Sequence, residues 1–154
     1  MSVLPPAPQP YLKPLPEVTE FNRPFFEALK NHRFVVPRCQ ECGHFSWIPY
    51  PLCRTCLSEE IVWTEMSGKA TLYTFTVVHR GPGAFDSDVP YVVGMGELVE
   101  RPRTCLVVAH LAGASPDSLR IGQPLQIAYQ DIPSADSTVY HWTTVPTDTT
   151  PETT

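Results

Sequence analysis

Apolar and polar residues alternate along most of the second half of the chain. In Leu125-Gln126-Ile127-Ala128-Tyr129-Gln130, the residues Leu125, Ile127 and Tyr129 fall on one face, the period-two pattern of a strand. Val92, Gly94, Gly96 and Leu98 share a face of the run Tyr91–Val99. Glycines there point to a bend or a close backbone approach, as at the corners of small barrels. With Ala70–His79, Thr104–Leu111 and Thr138–Val145 these runs predict five strands, and a shorter run, Ile61–Met66, precedes them. Between the third and fourth strands Ser115 is a good cap, Pro116 suits a first helical position and Gly122 suits a stop, which predicts one short helix. Five strands with a short helix in that slot is the order of an OB-fold, a partly open Greek-key barrel. A sandwich of similar strand count is the alternative.

The period changes towards the start of the chain. Phe21, Phe25, Phe26 and Leu29 have the i, i+4, i+5, i+8 spacing of one helical face, predicting a helix over 20–32 with Asn22 as its cap and Pro24 in its first turn. Too little sequence adjoins it for a bundle, so the aromatic face packs either on the rest of this chain or on another protein. Residues 1–18 form a proline-rich arm punctuated by Leu4, Tyr11, Leu12 and Leu15. Such an arm is extended, and either stays disordered or wraps a partner. Residues 146–154 carry no apolar anchor and are expected to be a disordered tail. The chain thus divides into the arm 1–18, a helix and cysteine segment 19–66, a barrel 67–145 and the tail 146–154.

Composition adds constraints. The 154 residues suffice for one domain with a small appendage, and 18 prolines disfavour long helices, so the class is mainly β. Apolar runs such as Cys105–Ala109 are too short to cross a bilayer, and Met1-Ser2-Val3 does not open a secretory signal; a cytoplasmic protein is expected. The net charge of −5 and the scattering of eleven basic residues argue against a nucleic-acid partner. A few placed donors would still serve a small anion.

The sharpest chemical signal is Cys39-Gln40-Glu41-Cys42-Gly43 followed by Cys53-Arg54-Thr55-Cys56. Two C-x₂-C pairs bring four sulfurs to one centre, the closed tetrahedral set of structural zinc. Iron of the rubredoxin type and disulfides are the alternatives. Four thiolates leave no position for water or substrate, so the metal would staple a segment with little core rather than catalyse. His44 is adjacent to a filled site and is not expected to ligate. Cys105 sits in an apolar strand and reads as a buried, inert thiol. His110 and His141 read as strand residues, packed or surface-facing. His79 opens the loop Arg80–Pro90, which corresponds to the ligand-side loop of an OB-fold; there Arg80 would contact an anion and Phe85 would be an exposed anchor, unless the loop is a plain connection. No phosphate loop and no paired acid–base set with motif spacing is visible, so an independent enzyme is not expected.

Phe25-Phe26-Glu27-Ala28-Leu29, then Phe34-Val35-Val36-Pro37-Arg38-Cys39-Gln40-Glu41-Cys42-Gly43, resembles the helix and rubredoxin-like zinc ribbon of the acyl-CoA-associated zinc-ribbon/OB-fold family, long catalogued as a domain of unknown function. Trp63 to Gly68, Tyr73–His79, Pro90–Val93 and Ile121–Leu125 are similar to its OB-fold signature, and the resemblance covers roughly residues 20–145. It implies structural Zn2+ and a non-catalytic subunit of a thiolase-type complex, a thiolase or retro-aldolase, acting on CoA thioesters in aromatic or steroid degradation. The partner would supply the catalytic residues, and this chain would help shape the acyl-CoA site. Other members are joined to hotdog-fold enoyl-CoA hydratases. On this reading Phe21, Phe25, Phe26 and Phe85 face the partner. Two other classes compete: a single-stranded nucleic-acid binder stacking bases on Tyr73, Phe75 and Tyr129, and a rubredoxin-like electron carrier.

Overall fold

Residues 10–100 and 105–146 are described in the computed structural model of the chain. Thr104 of the third predicted strand, the first nine residues of the arm and residues 147–154 of the tail lie outside them.

The helix α1 spans Arg23–Lys30, followed by β1 (Phe34–Cys39) and β2 (Ile61–Met66), which pair antiparallel from Phe34↔Met66 to Cys39↔Ile61. The cysteine segment is the long connection of this hairpin. Next come β3 (Lys69–Val78), β4 (Tyr91–Leu98), β5 (Leu106–Leu111), β6 (Pro124–Ile132) and β7 (Ser137–Thr144), which form a closed barrel in the order β3-β4-β5-β7-β6. Closure runs through Lys69–Thr71 of β3 against Pro124–Gln126 of β6, and β5 meets β7 in parallel at Leu111↔Trp142. This is the OB-fold order, and it sets the sandwich aside.

Alternation explains the barrel's interior. Along β4 every second residue, Val92, Gly94, Gly96 and Leu98, is buried. The two glycines make room for larger neighbours. A Cβ on Gly96 would lie 2.5 Å from Cζ2 of Trp142, and one on Gly94 would lie 3.2 Å from Cδ1 of Leu111. The Trp142 indole is fully buried, and its Nε1 donates to the Val107 carbonyl at 3.1 Å, so its polar edge is satisfied. Glycine in β4 therefore reflects close approach to an indole rather than a bend.

Two helical expectations are realised in reduced form. The segment after β5 forms a single 3-10 turn, Pro116–Ser118, and the Ser115 side chain caps nothing. Instead the Ser118 hydroxyl donates back to the Ser115 carbonyl at 2.7 Å. Asn22 precedes α1 but makes no side-chain cap bond either. Its Oδ1 accepts from the Thr19 amide at 2.7 Å and its Nδ2 donates to the Glu17 carbonyl at 3.0 Å, so it ties the arm to the helix start. The apolar face of α1 packs on this chain: Phe25, Ala28 and Leu29 are buried, in one core with β1 and the barrel.

Candidate metal centre and aromatic junction

Each C-x₂-C pair forms a knuckle of the same local design. The amide of Gly43 donates to the Cys39 carbonyl (3.0 Å) and that of Leu57 to the Cys53 carbonyl (2.8 Å). The chain then returns through Cys39 N–H to His44 O (2.9 Å) and Cys53 N–H to Ser58 O (2.8 Å). Both knuckles need a left-handed residue after the second cysteine. Gly43 takes it at φ 73° and Leu57 at φ 63°. Glycine accommodates that backbone without penalty, whereas leucine is strained there, and its side chain is 72% exposed.

The knuckles bring Sγ of Cys39 to 3.5 Å from that of Cys56, and Sγ of Cys42 to 3.5 Å from that of Cys53. All four sulfurs lie within 4.8 Å of one another. Four thiolates around one zinc at about 2.3 Å place sulfurs about 3.8 Å apart, so the set fits a tetrahedral ion. The backbone prepares the charge. Amides of Cys56 and Thr55 draw the Cys53 thiol down to about 6, and the Cys42 amide leads in lowering Cys39. At Cys56 the Ser58 amide also lowers, but contact with Cys42, loss of hydration and the other two thiols outweigh it and push the group up to about 12. Four crowded sulfurs resist sharing negative charge, and a divalent cation resolves that conflict. Cys105 lies apart, buried in the barrel, its thiol raised to about 11 by desolvation.

Behind the cysteines stands a cluster that the sequence did not reveal. Phe25 of α1 contacts Phe34 of β1 (5.8 Å between ring centroids), Trp47 of the ribbon (5.4 Å), Trp63 of β2 (6.3 Å) and Tyr140 of β7 (5.7 Å). Phe34, Trp47 and Tyr140 also meet one another at 5.6 Å. One ring thus joins helix, ribbon and barrel. Tyr140 is pushed far up by burial, and its hydroxyl donates to the Val108 carbonyl at 3.2 Å. A polar seam closes the far end of α1. Lys30 pairs with Asp136 at 2.7 Å, His32 Nε2 meets Asp131 at 3.0 Å, and Arg33 pairs with Glu65 at 2.5 Å.

The expected partner-facing residues separate into three environments. Phe21 is 56% exposed beside the ribbon, while Phe26 is half-buried against the core and borders an apolar cavity of about 250 Å³ with Trp47, Ile48 and Trp63. Phe25 is a core residue, only 7% exposed, and as packed it offers no surface to a partner. His79 and Arg80 are exposed where β3 ends, and the loop beyond them coils into a 3-10 helix, Gly83–Asp88. Phe85 there is half-buried rather than an exposed anchor. Its ring lies 6.0 Å from Tyr91, and the Lys13 ammonium stands 5.5 Å above it. Lys13 also pairs with Asp88, holding that carboxyl below its usual range. Among the described residues, no helix is long and apolar enough to cross a membrane.

Comparison with known proteins agrees with this geometry. Residues 26–62 match the family described as "ChsH2, rubredoxin-like zinc ribbon domain", and residues 63–130 match "ChsH2, C-terminal OB-fold domain". A probable enoyl-CoA hydratase alpha subunit of Thermomonospora curvata is 36% identical over 115 residues, which is 74% of this chain but only 34% of that protein; the chain spans about a third of its length. A DUF35 domain-containing scaffold protein of Pyrococcus furiosus is 28% identical over 124 residues, 80% of this chain and 85% of that one. The solved structure of the Ltp2-ChsH2(DUF35) aldolase contains a chain 30% identical to this one, with a TM-score of 0.73, covering 84% of this chain and 98% of that chain.

Proposed function

We propose that this chain, which belongs to the DUF35 family of ChsH2-type zinc-ribbon and OB-fold proteins, is the accessory subunit of a hetero-oligomeric enzyme acting on acyl-CoA thioesters. A thiolase-type subunit would carry the reacting groups, in thiolytic or retro-aldol chemistry. The observation that carries the reading is the match, over 98% of its length, to the ChsH2 chain of an aldolase complex.

The chain's own chemistry supports a scaffold. Its metal set is closed by four sulfurs, so zinc would hold the ribbon's shape and leave no open position for substrate. The Phe25 junction then fixes ribbon, helix and barrel as one body, a rigid platform on which a partner can dock. Phe21, Ile48 and Leu57, exposed at 56%, 55% and 72%, are the most exposed of the apolar residues that this platform presents on its helix and ribbon side, with Leu52 and Tyr50 beside them. Apolar anchors of that kind dominate interface energy when a partner desolvates them. His79 and Arg80 remain the candidates for contact with the CoA thioester.

Co-expression of the tagged chain with a thiolase-type protein, where one is encoded beside it, tests the reading. A stoichiometric complex is expected by size exclusion with light scattering, with turnover of CoA thioesters by the complex and none by this chain alone. A full-length chain that is active by itself, or that stays monomeric beside that neighbour, would sink it. The hydratase alpha subunit, at 36% identity, favours a second reading, in which the partner is a hotdog-fold enoyl-CoA hydratase. The same co-purification, run with such a neighbour, separates the two.

A further inference from the structure

The second half of the arm, residues 10–18, does not hang free. Tyr11, Lys13 and Leu15 are half-buried, while Pro10, Leu12, Pro14 and Pro16 are exposed, the alternation of an extended segment lying on a surface. That surface is the barrel at Lys13 and the seam between α1 and the barrel at Leu15. Lys13 sits on the β3–β4 loop, over the Phe85 ring and against Asp88. Leu15 and Pro16 border a groove of about 470 Å³ lined by Arg23, Phe26 and Lys30 of α1 and by Ala135 and Asp136 of the β6–β7 turn. In an OB-fold the loop after the first strand and the loop before the fifth flank the face on which extended ligands lie. Here those loops are the β3–β4 and β6–β7 connections, and the arm bridges them.

Beneath the arm the face is built for contact. Tyr91 on β4 lies against Phe85 on one side and against His110 on β5 on the other, 5.7 Å between ring centroids. His141 on β7 and Lys13 are both near enough to His110 to disfavour its charge. His110 is exposed by area, yet loss of hydration is the largest cause lowering its pKa, followed by His141 and Lys13, with Asp88 opposing them.

We propose that residues 10–18 are a displaceable strap, an extended Tyr-x-Lys-x-Leu segment seated in cis on the barrel's ligand face, and that the face is a groove for peptide of this pattern. Its hold is weak by construction. The Lys13–Asp88 pair is partly open to solvent, with 30% and 32% of the two side chains exposed, and such pairs contribute little. Among the described residues, no backbone hydrogen bond joins 10–18 to a barrel strand. The prolines at 10, 14 and 16 restrict the released arm, so reseating orders few new torsions. Covered, the face is closed to other extended ligands along the Lys13 track; opened, it offers the half-buried Phe85 and Tyr91 beside the already exposed His110. This inference does not depend on the accessory-subunit reading.

The test uses the full-length chain. A fluorescent peptide of residues 10–18 is titrated by anisotropy into wild type, Lys13→Glu and the charge swap Lys13→Glu/Asp88→Lys. Lys13→Glu sets the arm against Asp88, so its vacated face should bind the peptide at least ten-fold more tightly than wild type. The charge swap restores the attraction in cis and should lose that binding. Histidine proton resonances give the second readout: His110 should titrate at higher pH in Lys13→Glu than in wild type. Equal peptide binding by wild type and Lys13→Glu, or no saturable binding by Lys13→Glu whatever His110 does, overturns the strap. A melting temperature within about 2 °C of wild type confirms that the variant is folded.

Discussion

Replacing Phe25 by alanine distinguishes a core residue from a partner anchor. The side chain is 7% exposed and touches rings from α1, β1, the ribbon, β2 and β7. Truncating a buried phenylalanine costs about 3–5 kcal/mol through lost transfer energy and the cavity left behind. Edge-on aromatic pairs add about 0.5–1.5 kcal/mol beyond burial. The site can relax, because a cavity of about 250 Å³ already borders Phe25 and lets Trp47 and Phe26 shift. That places the expected loss near the lower end, about 3 kcal/mol. At about 2–4 °C per kcal/mol for a domain of this size, the melting temperature should fall by about 6–12 °C. Urea melts of zinc-loaded protein measure the loss, with Phe21→Ala as control. Phe21 is 56% exposed, so its truncation should leave stability within about 0.5 kcal/mol while weakening the complex. A Phe25→Ala protein that melts within 2 °C of wild type and fails only in complex formation would refute the core assignment.

Other outcomes follow from single sites. Chelation or Cys39→Ser should release one zinc per chain, measured with a colorimetric dye, and loosen the ribbon as detected by faster hydrogen exchange over 39–61. Gly96→Ala should cost about 2–3 kcal/mol in urea melts, because its Cβ would sit 2.5 Å from a fully buried indole pinned to Val107; a cost below 0.5 kcal/mol would show that Trp142 yields freely. Leu57→Gly should stabilise the chain by about 0.5–1 kcal/mol, since the φ of 63° favours glycine and the lost side chain is mostly exposed. Asp131 is held below the usual carboxylate range first by His32 and then by Thr138, so it contributes stability above its unfolded value of about 3.9 that is lost as pH falls through the folded value. Removing its leading partner in His32→Ala should make the decline of the urea midpoint below about pH 4 shallower than in wild type.

The parts of this molecule that were legible in the sequence are those fixed by local spacing. Cys39, Cys42, Cys53 and Cys56 announce their centre because each pair reaches it through one turn of backbone. The five barrel strands announce themselves because one face of each is buried, which imposes period two on Leu125–Tyr129 and Val92–Leu98. What stayed hidden depends on which distant residues meet. Phe21 and Phe25 have the spacing of one helical stripe, but α1 begins at Arg23 and leaves Phe21 in the turn before it, while Phe25 meets Trp47, Trp63 and Tyr140, up to 115 positions further along the chain. Lys13 reads as a lone charge until Asp88 and Phe85 arrive beneath it. Ser115, Pro116 and Gly122 carry real helix punctuation, but Gly122 spends its amide on the Leu72 carbonyl, and the segment closes after one 3-10 turn. Leu57 matches no rule for a left-handed residue, so only the backbone itself reveals it.

Barrel closure has a consequence in time. The pairing of Lys69–Thr71 with Pro124–Gln126 and the docking of Tyr140 on Phe25 join points far apart in the chain, and such non-local contacts form slowly. The four sulfurs lie between positions 39 and 56, so their loop closes early and cheaply. The two halves therefore run on different clocks. During synthesis the ribbon can capture its ion while β3 is still emerging, and Phe25, already against Phe34, Trp47 and Trp63, then waits for Tyr140 until β7 is complete. An interrupted chain that ends before β7 would hold its metal and leave the Tyr140 side of this aromatic cluster open, a form that a quality-control chaperone is equipped to recognise.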